Sequence, residues 1–270
     1  MDSAYHVIQR RKSTRTFDER PLSAEDRHAL AVLLEKGGNP FGVPVEFHFL
    51  DADKHSLKSP ALVGEKYYVA AKVERVPNCE IAFGYEFERF CLEAEAIGLG
   101  TVMLAASLNR EAFERAIEVS DSEVMPVASP VGYPAAKRSM RERAMRKALG
   151  ADGRMPFGEL FFDGAFDMPL TPESAGDLRQ AFEAVRLAPS AGNKQPWRVV
   201  LEGECVHFYE CRTIGESPLG DIQKVDLGIA LVHFDLVASE AGFETSFEQG
   251  DPGIQLPDGV EYIATCRVSR

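Results

Sequence analysis

Arg10, Arg11, Lys12, Ser13, Thr14 and Arg15 place four cations and two hydroxyls within six residues, near the start of a 270-residue chain. Arginine forks, a lysine and a serine hydroxyl are the groups that grip a phosphate. A second basic stretch runs from Lys137 to Arg154 through Arg138, Arg141, Arg143, Arg146 and Lys147, opposed only by Glu142 and Asp152. Taken alone, most of that stretch reads as a solvated helix between Ser139 and Leu149. A third string, Arg186 to Arg198, offers a different chemistry. Pro189 stops a helix, and Ser190, Ala191 and Gly192 expose backbone with little side chain in the way. Asn193 and Gln195 supply amide donors and acceptors that can read the edge of a heterocycle. Trp197, the single tryptophan, reads as a core anchor.

Composition narrows what these strings can serve. The net charge is −12, which does not suit a phosphate-backbone partner, so clustered cations point to a small-anion site rather than to nucleic acid. The longest uncharged runs, Ala96 to Asn109 and Val124 to Ala136, fall short of the roughly 18–20 residues of a membrane helix. No basic region leading into an apolar stretch follows Met1, so no signal peptide is expected. Five cysteines, an odd number without zinc spacing, argue against a disulfide framework and a structural metal. Reduced thiols in a cytoplasmic, globular protein are the simple reading. The six histidines are scattered, no Ser/His/Asp or Cys/His nucleophile is visible, and Cys91 reads as packing.

The elements that must position these strings follow from periodicity and punctuation. Asp2 to Arg11 reads as a short helix, and Ser23 with Asp26 caps another over 24–36. Strands are expected over 45–50, 67–73, 101–104 and 124–131. Phe83, Phe87, Phe90, Ala94 and Ile97 recur at three- and four-residue steps, predicting an amphipathic helix over 78–97. Asn109 caps a helix to about 117. Thr171 with Pro172 starts a helix to 187. Strands over 198–201 and 206–209, a helix over 223–241 and strands over 243–247 and 261–268 complete the chain.

Two segments run parallel to each other. Phe17 to Ser23 and Phe166 to Thr171 open similarly; Gly38-Asn39 and Gly192-Asn193 follow; Ala94 to Gly98 and Ala238 to Gly242 end the long helices. A diverged internal duplication explains this order better than chance. It divides the chain into a first half, 1–134, a basic connector, 135–164, and a second half, 165–270.

In these strings the chain resembles the nitroreductase family of FMN-dependent oxidoreductases. Arg11 to Phe17 is similar to that family's phosphate-binding string, and Ala188 to Trp197 to its flavin-contacting loop. Glu93 through Ala106 is similar to the helix-to-strand passage at the reactive side of the isoalloxazine. Pro130 to Pro134 matches a late strand end, and Arg154 onward resembles a segment whose basic residue reaches the phosphate. The order departs from the usual one, because the Pro-Ser-x-x-Asn loop lies in the second half and that half lacks an Arg-x-Ser string. The chain therefore looks like a fused pseudo-dimer. The resemblance implies an α+β fold with mostly antiparallel sheets flanked by helices, in two pseudo-symmetric halves.

It also implies roles. Arg11, Ser13, Arg15 and Arg154, with Lys12 beside them, would bind phosphate. Pro189, Ser190, Ala191, Asn193 and Gln195 would border the ring or its ribityl chain. Leu104, Ala105 and Ala106 would bring backbone N–H groups near the flavin N5 and O4. FMN would carry the chemistry, with NADH or NADPH as reductant and small electron-poor compounds such as nitroaromatics or quinones as acceptors. No metal is implied, and a monomer or weak homodimer is expected. A non-catalytic flavin-binding protein for sensing or storage is the alternative, and an interaction protein with a degenerate site a third.

Overall fold

A computed structural model describes residues 2–270. Ser3 accepts the His6 N–H and opens α1 (Ala4–Arg10), which buries Val7 and Ile8. Ser23 accepts the Asp26 N–H at the start of α2 (Ala24–Glu35), as their spacing predicts. β1 (Val45–Asp51), α3 (Ala52–His55), β2 (Tyr67–Glu74), the long α4 (Cys79–Ala96), β3 (Gly100–Thr101), α5 (Arg110–Ala116), β4 (Glu123–Val124) and β5 (Ala128–Gly132) follow. They build an antiparallel sheet of order β1-β2-β5-β3, with β4 also on β2. Beyond α6 (Met140–Ala148) and α7 (Phe157–Leu160), the chain forms β6 (Phe161–Asp163), α8 (Arg179–Leu187), β7 (Trp197–Glu202), β8 (Cys205–Cys211), α9 (Ile222–Glu240), β9 (Glu244–Glu248) and β10 (Val260–Ser269). This second sheet has the order β6-β7-β8-β10-β9 and is antiparallel except where β6 meets β7. The fold is α+β, as expected.

Several boundaries differ from the sequence reading, each for a local reason. The strand expected over 101–104 stops at Thr101, because the Val102 N–H turns to the Ser129 hydroxyl; only Leu104 rejoins, through a bridge to Ala128. The strand expected over 124–131 splits around Pro126, which has no N–H for a ladder. Asn109 precedes α5 without capping it through its side chain. The helix expected from Thr171 begins as a turn, in which the Thr171 hydroxyl accepts the Ser174 N–H. Gly176, at φ +54°, interrupts it before α8. β6 lies within the stretch expected as connector, so the second sheet begins before residue 165.

α4 sends Phe83, Phe87, Phe90 and Ala94 into the core under the first sheet, as the spacing predicts. It also sends Ile81, Tyr85 and Leu92 into the core under the second. It is therefore buried on two sides rather than amphipathic, and Ile97 at its end is exposed. α9 packs along it. A Cβ on Gly84 would lie 2.0 Å from the Val225 carbonyl oxygen, and one on Gly228 would lie 2.1 Å from that of Ile81. Backbone meets backbone at this crossing, where neither side can yield as a flexible side chain could. Gly84→Ala and Gly228→Ala should each cost at least about 2 kcal/mol of stability, since overpacking here must move helices. Urea unfolding measures this, and a loss below about 0.5 kcal/mol would contradict the packing.

Candidate functional site

One cavity of about 610 Å³ lies where the two cores meet, within the size range of small-molecule sites. Its basic wall is the string after α1. The Thr14 N–H donates to Thr101 at 2.9 Å, and Thr16 pairs with Val63, which stretches Arg11 to Thr16 across the end of the first sheet. Gly100 permits that approach, because a Cβ there would sit 2.6 Å from the Thr14 hydroxyl oxygen. The Thr16 hydroxyl donates to buried Glu142 at 2.8 Å and so docks α6 beside the string. The loop after α8 adds Pro189 to Asn193, and α9 adds Ile222, Val225, Asp226 and Ile229.

Twelve of the thirteen residues singled out from sequence line this cavity; Gln195 does not. That reading of Gln195 is corrected: it is buried, its Oε1 accepts the Met155 N–H at 2.9 Å, and its Nε2 donates to the Asn193 carbonyl at 3.3 Å. Its amide bonds within the loop and the residue lies outside the cavity lining. Leu104 is corrected in part. It lines the cavity, but its N–H donates to Ala128 at 2.8 Å and is not available. The Ala105 and Ala106 N–H groups have no protein acceptor among the described residues.

The loop is held in an unusual backbone. Gly192, Asn193 and Gln195 lie at φ +58°, +56° and +50°, a region few residues other than glycine and asparagine adopt readily. Side-chain bonds hold it there. The Ser190 hydroxyl accepts the Gln195 N–H at 2.9 Å. Asn193 donates to the Gly150 and Gly153 carbonyls at 2.8 and 3.0 Å, tying the loop to the connector. Arg154 reinforces the tie, donating to Ala151, Gly153 and Leu187 carbonyls and to the Asn193 side chain at 3.3 Å.

The electrostatics favour an anion. Arg15 Nε and Arg154 Nε are both buried without a partner among the described residues. Burial lowers the pKa of each; Glu142 opposes this at Arg15, and neighbouring Arg11 deepens it at Arg154. Both remain charged at neutral pH, so an anion entering here would relieve desolvated positive charge. Arg11 is oriented by Glu88, whose fully buried carboxylate sits 3.2 Å from the Arg11 Nε. The same Oε1 lies 3.0 Å from His233 Nε2, and His233 Nδ1 lies 2.8 Å from the Ala184 carbonyl. That carbonyl can only accept, so Nδ1 carries a hydrogen and Nε2 is the ring atom that faces the carboxylate. Cys91 also lines the cavity, and burial raises its thiol pKa, which makes it a packing residue and not a nucleophile.

Sequence reasoning missed Glu88, Asp226 and Arg146. The readable signal was a carboxylate inside an apolar helical run, Glu88 among phenylalanines and Asp226 beside Val225 and Leu227. Asp226 is buried, and both of its oxygens lie 3.0 Å from the Ala191 N–H, its one bonded partner. Burial raises its pKa well above the ordinary value, against the Ala191 bond and with help from Asp221 and Glu210. The folded chain thus keeps a proton that the unfolded chain releases above about pH 4. Stability from this group is lost as pH rises from there toward the folded pKa. Asp226→Asn keeps an acceptor for Ala191 and removes the titration. The variant should gain stability relative to the parent progressively above about pH 4, as read by urea unfolding at stepped pH. Parallel pH curves for the two proteins would contradict this.

Among the described residues no group of three or more His, Cys, Asp or Glu could hold a metal, and no helix is long and apolar enough to cross a membrane. A sequence profile of the family described as "Putative TM nitroreductase" matches residues 3–238. A solved protein of like description from Thermotoga maritima is similar over 99% of this chain and 93% of its own, at 20% identity and a TM-score of 0.64. That is a likeness of fold. A nitroreductase from Bacteroides fragilis, solved with bound FMN, is similar over 52% of this chain and 92% of its own, at 13% identity and a TM-score of 0.42. For a nitroreductase family protein from Clostridium novyi the shares are 52% and 90%, at 19% identity and a TM-score of 0.44. No curated protein matches in sequence. The profile runs from α1 almost to the end of α9, through every wall of the cavity, and the chain belongs to the nitroreductase family.

Proposed function

We propose that this chain is an FMN-dependent oxidoreductase that oxidises NADH or NADPH and reduces small electron-poor compounds such as nitroaromatics or quinones. The observation that carries the reading is the cavity of about 610 Å³, which desolvated arginines, apolar side chains and a backbone-exposing loop line together. The unpartnered Nε atoms of Arg15 and Arg154 are what a phosphate-bearing cofactor would satisfy, so the residues present fit FMN. Bound FMN supplies the hydride chemistry, and the chain supplies binding, orientation and electrostatics.

In this reading Arg11, Ser13, Arg15 and Arg154 hold the phosphate, with Lys12 at the exposed edge. Pro189, Ser190, Ala191 and Asn193 border the ring or its ribityl chain, while Gln195 keeps the loop in shape. The free N–H groups of Ala105 and Ala106 offer donors for charge that develops on the reduced ring. The apolar side chains of Ile222, Val225 and Ile229 keep water from that charge. The division into halves 1–134 and 165–270 belongs to the same proposal, with each half contributing what the other lacks.

FMN should bind more tightly than riboflavin, because the cations gain only against a phosphate. Arg11→Ala should cost about 1.5–3 kcal/mol of FMN affinity and leave riboflavin affinity near its original value. Calorimetric titration of apo-protein with each flavin checks both, and equal affinities for the two flavins would sink the phosphate assignment. Anaerobic mixing of the flavin-loaded protein with NADH or NADPH should bleach the yellow absorbance. A spectrum unchanged by both would overturn the reductase reading.

A further inference from the structure

Beside the cavity, α6, the residues just before it and the turn that follows it form an open cup of about 450 Å³. Arg138, Arg143, Arg146 and Lys147 line it, together with the 150–153 turn. We propose that this cup binds the 2′-phosphate of NADPH and makes the protein prefer NADPH to NADH. The inference rests on the reductase reading and adds to it the identity of the reductant.

Four observations support the assignment. First, Arg143 and Lys147 have no ion-pair partner among the described residues, whereas Arg138 is answered by Glu142 at 3.1 Å and Arg146 by Asp152. Lys147 follows Arg143 by four residues on one helical face, where like charges weaken a helix unless an anion intervenes. Second, Arg146, Ala151 and Asp152 line both the cup and the cavity, so the two openings adjoin. Third, the floor of the cup is fixed to the loop bordering the cavity, because Asn193 and Arg154 both bond the carbonyls of the 150–153 turn. A ligand that occupies both places meets one rigid surface. Fourth, the chain as a whole carries a charge of −12, so this patch is a local reversal of sign that concentrates small dianions.

The phosphate of a 2′-phosphorylated ribose carries close to two negative charges at neutral pH and three acceptor oxygens. An arginine beside that ribose is a general means of accommodating it. NADH presents a hydroxyl at the same place and leaves Arg143 and Lys147 without a counter-charge. One or two charge-assisted bonds correspond to a preference of about ten- to one-hundred-fold.

The test uses FMN-loaded full-length protein at low salt. Adenosine 2′,5′-bisphosphate should bind at least about ten-fold more tightly than adenosine 5′-monophosphate, and kcat/KM for NADPH should exceed that for NADH by a similar factor. In an Arg143→Ala/Lys147→Ala variant both ratios should fall to within about three-fold of unity, with flavin content reporting that the variant has folded. Equal binding of the two nucleotides would overturn the proposal, as would ratios that survive the variant. Inorganic phosphate binding as tightly as the bisphosphate would show a general anion patch and overturn it too. If neither dinucleotide is oxidised while the bisphosphate preference holds and is lost in the variant, the cup stands and the reductase reading falls.

Discussion

α4 and α9 can lie backbone to backbone only because Gly84 and Gly228 present hydrogen where any other residue would present carbon. The rest of the molecule depends on that close approach. It lets Val225 of α9 pack in the core under the first sheet, while Ile81, Tyr85 and Leu92 of α4 pack under the second, so neither core closes without the other. Of the polar cross-links on the same seam, Glu88 to His233 is buried and Tyr85 to Asp235 is partly buried, and both tie one helix to the other. Such pairs add less to stability than to register, since bringing charge out of water costs much of what the pairing returns.

The walls of the cavity are consequences of this seam. Glu88 and Cys91 come from α4, and Ile222, Val225, Asp226 and Ile229 come from α9. Glu88 orients Arg11 through Nε, so the guanidinium of a residue just beyond α1 is aimed by a helix from the middle of the chain. The remaining cations reach the site by other tethers: Arg15 through the extended pairing of its neighbours with the first sheet, Arg154 through carbonyls on both sides of the loop. Several cations held with little water in an acidic protein cost stability in the absence of an anion, and that cost becomes affinity when one binds.

Most of the elements and twelve residues of the cavity lining were legible in the sequence, because hydroxyls among arginines and a Pro-Ser-Ala-Gly-Asn loop have few structural uses. What failed to show was long-range. Gln195 reads as a ligand-facing amide until the Met155 N–H, 40 residues away, occupies its oxygen. Leu104 offers an N–H until Ala128 accepts it. The periodicity of α4 revealed one apolar face and not the second, since two faces a few residues apart overlap in any window. Gly84 and Gly228 read only as weak points inside helices. Nothing local announces that they face one another across 144 positions.

A cavity walled from both cores, with its basic string beside the first sheet and its exposed loop leading into the second, should take one flavin for each polypeptide. Spectroscopic titration of apo-protein with FMN, at protein concentrations well above the dissociation constant and with chain concentration known from amino-acid analysis, measures this directly. The expected break lies at one FMN per chain. A break at one half would mean that a second subunit completes the site, and a break at two would mean that each half holds a flavin of its own; either contradicts a single site assembled across the α4–α9 seam.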